Sequence, residues 1–62
     1  MNFEKFKTIV RGMGGVWATN KVVFSRSQSE YHAQCGDESV HLVVPGGYWS
    51  ARGEDATKRM TW

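Results

Sequence analysis

The first segment of the chain repeats apolar side chains at the spacing of a helix. Charged residues occupy the positions between them, which gives the segment one apolar and one polar side. Asn2 is a residue type that caps helix N-termini, and the glycines from Gly12 onward are typical helix stops. The pattern predicts an amphipathic helix over residues 3–12, and its apolar stripe consists of Phe3, Phe6, Ile9, Val10 and Met13.

Two later segments alternate apolar and polar residues, the pattern of strands with one buried face. They cover residues 31–35 and 40–44, and the four residues between them have a common length for a hairpin loop. Pairing Cys35 with Val40 brings all the apolar members to one face, whereas a slip of one residue would mix the two faces. We expect this face to pack on the N-terminal helix, and its members are Tyr31, Ala33, Cys35, Val40, Leu42 and Val44.

Two other segments leave alternatives open. Residues 16–24 are rich in β-forming types around a turn signal, so they fit either one irregular strand or a short hairpin. Ser27 and Glu30 have the spacing of a capping box, which makes a helix over residues 28–35 an alternative to a strand. We prefer the strand because it pairs well with the segment that follows it.

The end of the chain also fits two structures. Glu54 precedes Lys58 and Asp55 precedes Arg59 by four residues, in the order that stabilises a helix and complements its dipole. A hairpin whose second strand covers residues 57–62 is the alternative. We therefore predict one α+β domain spanning all 62 residues, with an N-terminal helix packed on a three- or four-stranded antiparallel sheet. A short C-terminal helix, or a C-terminal β-hairpin in its place, completes it.

Size and composition limit the class of protein. A domain of 62 residues buries only about 60% of the surface of its unfolded chain, so a dimer or a bound partner is expected to add stability. One cysteine allows no internal disulfide framework, and no apolar run approaches the roughly 20 residues of a membrane span. No apolar stretch follows the N-terminus as in a signal peptide, so we expect a cytoplasmic protein without membrane contact.

The net charge is mildly basic. Eight Lys and Arg against six Asp and Glu give +2, with a pI near 9.0. This balance argues against an acidic DNA mimic and permits nucleic-acid binding. The basic residues are scattered along the chain, so the sequence by itself shows no basic stripe.

His32 and His41 are the only histidines, and the predicted register places them diagonally on the polar face of neighbouring strands. Two imidazoles so placed suit a general base and a general acid for phosphodiester cleavage, because histidine titrates near neutral pH. Two surface histidines without a chemical role are the competing interpretation. Cys35 points to the other face and completes no ligand set, so we expect no metal and no cofactor.

An aromatic pair near the only proline is a second candidate site. Tyr48 and Trp49 follow two glycines and precede Arg52. Such residues stack on nucleic-acid bases, and they are also enriched among the anchors of protein interfaces. We predict that these three residues form a protein-binding patch on a loop or a sheet edge.

Three short motifs follow one another along the chain. The first helix leads into Gly14-Gly15-Val16-Trp17, Ser29-Glu30-Tyr31-His32 precedes the hairpin, and Val43-Val44-Pro45 closes its second strand. In order and spacing the chain resembles the HicA-type toxins, small mRNA interferases with a double-stranded-RNA-binding-like fold. The resemblance implies an α-β-β-β-α fold and makes His32 the candidate catalytic residue. Ser29 replaces the glycine of the family motif, and glycine stands where the family has a histidine after the proline.

Two hypotheses about function follow. In the first, the protein binds or cleaves RNA, and its phosphates are positioned by basic residues from separate parts of the chain, Lys21, Arg26, Lys58 and Arg59. In the second, it is a compact non-enzymatic protein-binding module, such as a phage-encoded inhibitor of a host enzyme or defence system. A homodimer is compatible with both hypotheses, and the sequence leaves open whether the protein is an enzyme.

Overall fold

A four-stranded antiparallel sheet carries both helices on one of its faces. The computed structural model describes residues 1–60. Its elements are α1 (Phe3–Arg11), a 3₁₀ turn (Gly15–Ala18), β1 (Val23–Arg26), β2 (Glu30–Cys35), β3 (Glu38–Val43), β4 (Tyr48–Arg52) and α2 (Glu54–Arg59). The strands are neighbours in chain order, β1-β2-β3-β4. The predicted α+β architecture is confirmed, with four strands in the sheet and a short helix after them.

The N-terminal helix forms as its sequence predicts. The Oδ1 atom of Asn2 accepts a hydrogen bond from the backbone N–H of Lys5 at 2.8 Å, which satisfies one free donor of the first turn. Phe6 and Val10 lie on the apolar stripe and are fully buried. The helix ends at Arg11, one residue before the predicted end.

The β2–β3 hairpin is tighter than predicted. Cys35 pairs with Glu38 and Ala33 with Val40, so a two-residue turn replaces the predicted four-residue loop. Gly36 leads this turn with a φ of 63°, the positive angle that a type II′ turn needs at its first central position. The predicted register is therefore wrong by two residues. Because side chains alternate with a period of two, every residue of the hairpin still lies on its predicted face.

The prediction of a strand or hairpin over residues 16–24 is wrong for most of that segment. A 3₁₀ turn occupies its first part, and extended strand begins only at Val23. The cause is tertiary, because the indole of Trp17 is fully buried and its Nε1 donates a hydrogen bond to Asp55 Oδ2 at 3.1 Å. A tight turn directs this large ring into the core and toward α2.

The strand preferred for residues 28–35 is confirmed from Glu30 onward. Ser27 Oγ accepts a hydrogen bond from the backbone N–H of Glu30 at 3.2 Å, which is the contact of a capping box. Here the contact closes the turn between β1 and β2. The spacing of Ser27 and Glu30 therefore stabilises a hairpin turn here, because a hydroxyl that accepts a hydrogen bond from a nearby backbone N–H also stabilises turns.

The last described residues form a strand and then a helix. Tyr48 lies opposite Val43 and Trp49 opposite Leu42, so β4 extends the sheet beside β3. The C-terminal helix that we predicted is α2, and the hairpin alternative is wrong for residues 54–59. The end of that alternative, at residue 62, lies outside the described residues.

The core lies between the two helices and one face of the sheet. The predicted apolar face of the hairpin turns toward it, with Tyr31, Cys35 and Val44 half-buried at its margin. No helix within residues 1–60 combines the length and the apolar character needed to cross a membrane. The buried core residues are Phe6, Val10, Trp17, Val22, Ala33, Val40, Leu42 and Ala56.

Candidate functional site

The two histidines lie on the open face of the sheet, which is the face opposite the helices. His32 and His41 are direct cross-strand partners, because the true register removes the diagonal offset that we predicted. Their rings stack with centroids 4.2 Å apart and planes 20° from parallel. Rings at this separation are in van der Waals contact. A phosphate group cannot lie between them.

Polar side chains of neighbouring residues position the ring of His41. His41 Nε2 lies 3.2 Å from Ser39 Oγ, and its Nδ1 lies 3.6 Å from Glu30 Oε1. His32 Nε2 is buried and has no hydrogen-bond partner among the described residues. The two rings thus face each other, and the ring of His41 also contacts Ser39 and Glu30.

The three residues predicted as a protein-binding patch do not lie together. Tyr48 is 74% exposed and, like Arg52, points to the open face. Trp49 lies on the helix side, where its ring stacks 5.6 Å from the ring of Phe6. The three residues therefore do not share one face of the sheet, because consecutive residues of a strand point to opposite faces.

The four basic residues predicted to hold phosphates are also separated in space. Lys58 and Arg59 lie on α2, where they pair with Glu54 at 3.7 Å and with Asp55 at 3.0 Å. Arg59 Nη1 also donates to the carbonyl of Met13 at 3.0 Å. Lys21 lies in the turn before β1, and Arg26 lies at the end of β1. These four residues do not converge on the histidine pair.

Three cationic side chains, one of which is Arg26, do lie close together where α1 packs against β1. We call this group the α1–β1 basic patch and define it as Lys7, Arg11 and Arg26 around the rings of Phe3 and Phe24. Lys7 Nζ and Arg26 Cζ lie 5.1 and 5.4 Å from the centre of the Phe3 ring. Arg11 Cζ lies 5.3 Å from the centre of the Phe24 ring. Both rings are half-buried, so the patch is a basic surface with aromatic rings set into it.

Glu4 is a carboxylate next to this patch, and its pKa is lowered by the positive charges there. Glu4 Oε2 lies 2.9 Å from Lys7 Nζ. The hydrogen bond from Lys7 lowers the pKa of Glu4 most, followed by the charge of Lys7 and then by the charges of Arg11 and Arg26. Among residues 1–60, the three cations of the patch outnumber this exposed carboxylate, so the α1–β1 basic patch is positively charged.

Sequence reasoning missed this patch because its members are far apart along the chain. Arg26 comes from a strand that begins twelve residues after α1 ends. A partial signal was present, since Phe3, Lys7 and Arg11 follow each other at intervals of four and so share one side of a helix. Only the packing of β1 against α1 adds Phe24 and Arg26.

The surface of residues 1–60 also contains two open hollows. One of about 460 Å³ lies on the helix side, between Met1, Leu42, Pro45 and Trp49. The other, of about 390 Å³, lies on the open face. Within residues 1–60 no group of three His, Cys, Asp or Glu side chains is placed to hold a metal ion.

Comparisons with protein-family models, with curated proteins and with solved structures find no match to the chain. The resemblance to the HicA-type toxins therefore stays a prediction. Function has to be argued from the geometry of the chain itself.

Proposed function

We propose that the protein binds a nucleic-acid chain through the α1–β1 basic patch and that its ligand is RNA. The observation that carries this proposal is the convergence of Lys7, Arg11 and Arg26 around two phenyl rings. Basic side chains bind phosphates, and aromatic rings between them stack on bases. The choice of RNA follows from the resemblance to the HicA-type toxins.

In this proposal the cations have two alternative partners. In the free protein each lies over a phenyl ring, an arrangement worth about 0.5–1 kcal/mol at an exposed site. A phosphate oxygen forms a charge-assisted hydrogen bond with Lys or Arg, which is stronger. The phosphate therefore draws the cation off the ring and leaves the faces of Phe3 and Phe24 to the bases.

Salt dependence tests this proposal. We expect a short fluorescently labelled single-stranded RNA to bind with an affinity that falls as salt rises. For three phosphate contacts the slope of log K against log salt is about −2. Replacing Lys7, Arg11 or Arg26 with Gln should reduce the slope by about 0.7 each time. A DNA strand of the same sequence, measured in parallel, distinguishes RNA from any polyanion.

Lys5→Gln is the matched control. Lys5 lies on the same helix as Lys7, and its replacement by Gln removes the same charge. Because Lys5 comes two residues before Lys7, its side chain faces the other side of the helix. We expect its slope to equal that of the wild type. Binding that is insensitive to salt, or an equal effect of Lys5→Gln and Arg26→Gln, would refute the proposed patch.

We infer binding without cleavage from the stacked histidines. The labelled RNA should stay intact during incubation with the wild-type protein, as read on a denaturing gel. Cleavage that His32→Ala abolishes while binding persists would instead support a toxin-like interferase with His32 in the reaction.

Protein binding is the second candidate, and a separate observation favours it. Val43 and Tyr48 are cross-strand partners on the open face of the sheet, where their side chains are 39% and 74% exposed. Contiguous exposed apolar side chains are typical of interaction surfaces. A host enzyme or defence protein that binds the wild type and the Lys7→Gln variant but not Val43→Lys would establish this function. Loss of the partner with Lys7→Gln alone would contradict it.

A further inference from the structure

We propose that the hollow on the helix side is a pocket for one unstacked base of the strand that binds the α1–β1 basic patch, and that Gln28 reads this base. The proposal rests on the proposed function and adds a sequence preference to it. The hollow has a volume of about 460 Å³. Since a cavity of about 150 Å³ already accepts a benzene ring, the hollow has room for a purine base.

The hollow adjoins the α1–β1 basic patch. The ring of Phe3, which belongs to the patch, lies 5.3 Å from the ring of Tyr31. Tyr31 pairs across the sheet with Leu42, which lines the hollow. Gln28 also lines the hollow, and it follows Arg26 of the patch by two residues, which span at most about 7 Å. Because phosphates of one strand follow each other at about 3.4 Å, a strand bound at the patch reaches the hollow within about two nucleotides.

The hollow combines apolar walls with a hydrogen-bonding side chain. Leu42 is buried, Val44 is half-buried, and Pro45 is exposed beside them. The side chain of Gln28 is exposed and shares the same hollow. Unstacked bases are held against apolar or aromatic side chains and are identified by hydrogen bonds to their edges. The lining therefore supplies both parts of a base pocket.

The turn between β1 and β2 holds the backbone around Gln28. Ser27 Oγ accepts hydrogen bonds from the backbone N–H groups of Ser29 at 3.4 Å and of Glu30 at 3.2 Å. The carbonyl of Ser29 accepts a hydrogen bond from the N–H of Val44 at 2.9 Å, which ties the turn to a wall of the hollow. Gln28 is thus presented at the hollow from a hydrogen-bonded turn.

The chemistry of the Gln28 side chain selects adenine. A Gln amide offers a donor and an acceptor side by side. In sequence-specific complexes its usual partner is adenine, whose N6 donates and whose N7 accepts. We therefore expect adenine to be the preferred base in the hollow.

Fluorescence anisotropy tests the pocket with two labelled RNAs, a short oligouridylate and the same RNA carrying a single adenosine near its middle. The wild type should bind the adenosine-containing RNA about tenfold more tightly. Gln28→Leu should abolish this ratio and keep the wild-type salt slope, because the cations of the patch are unchanged. Gln34→Leu is the matched control, since it makes the same change on the open face and should keep the ratio. Circular dichroism checks that each variant is folded.

Filling the hollow is an independent test. Val44→Phe places a ring in the hollow and should also abolish the adenosine preference. Val43→Phe adds the same ring one residue earlier, on the open face, and should keep the preference.

The outcomes separate the pocket from the patch. Equal binding of the two RNAs by the wild type, with the expected salt slope, would overturn the pocket and leave the α1–β1 basic patch standing. A preference for adenosine that survives in both Gln28→Leu and Val44→Phe would overturn the pocket as well. If neither RNA bound in a salt-dependent manner, the patch and the pocket would both be wrong.

Discussion

Glu38 allows the sharpest test of how this fold is held together, because it caps a helix that lies far along the chain. Its Oε1 accepts a hydrogen bond at 2.6 Å from the backbone N–H of Ala56, in the first turn of α2. The N-cap residue of α2 is Gly53, which offers no side chain for this role. A Cβ atom on Gly53, where φ is 108°, would collide with the side chain of Glu38. The carboxylate from β3 thus takes the place of an ordinary capping side chain.

We expect Glu38→Ala to lower the free energy of unfolding by about 1–2 kcal/mol, because loss of an N-cap acceptor has this effect. For a domain of this size the melting temperature should fall by about 5–15 °C. Glu38→Gln keeps an acceptor and loses only the interaction of the charge with the helix dipole, about 0.3–1 kcal/mol. Urea titration followed by circular dichroism measures both changes.

Glu54→Ala is the matched control. It removes a carboxylate from the same helical turn, but the Glu54 side chain is 87% exposed and pairs only with Lys58 across 3.7 Å. Loss of this ion pair and of the charge near the helix N-terminus should lower the free energy of unfolding by no more than about 1 kcal/mol. Equal losses for Glu38→Ala and Glu54→Ala would refute the cap. The cap would also be refuted if the Ala56 amide exchanged its hydrogen at the same rate in Glu38→Ala as in the wild type.

Two further changes have definite expected outcomes. Phe6→Ala removes a fully buried ring and should lower the free energy of unfolding by about 3–5 kcal/mol, a large part of the roughly 3–9 kcal/mol expected for a domain of this length. Urea titration measures this loss, and a loss below about 1 kcal/mol would contradict the packing. Lys7→Gln should raise the pKa of Glu4 toward its ordinary value, and Arg26→Gln should raise it less, as followed by NMR titration of the Glu4 carboxyl carbon. Because the pKa of Glu4 is lower in the folded state, its contacts stabilise the protein above the unfolded-state pKa, and this stabilisation is lost as pH falls through the folded pKa. If Arg26→Gln raised the pKa of Glu4 as much as Lys7→Gln or more, the conclusion that Lys7 lowers this pKa most would be wrong.

Local periodicity predicted most of the secondary structure. The helical spacing of Phe6 and Val10 identified α1, and the alternation around Ala33 and Leu42 identified both strands of the hairpin and their buried face. These patterns are reliable here because the buried core residues of α1 and the hairpin are apolar and recur at the period of their element. The hairpin turn was wrong by two residues, since a shift of two keeps the same faces and the pattern cannot detect it.

The candidate site was less accessible to sequence reasoning. The histidines were correctly placed on one face of neighbouring strands, but their direct stacking depended on the register. The proposed phosphate-binding residues were chosen by charge alone, and Lys58 and Arg59 are instead paired on α2. Of the four, only Arg26 joins the α1–β1 basic patch.

The sequence by itself determined which side of α1 and of the β2–β3 hairpin is buried, because burial follows from the spacing of apolar residues along one short segment. Only the tertiary structure decided how those segments meet. The indole of Trp17 donates to Asp55, Glu38 caps α2, and Arg26 reaches Phe3. Each of these contacts joins residues at least 18 positions apart, and no periodicity within a single element encodes such a distance.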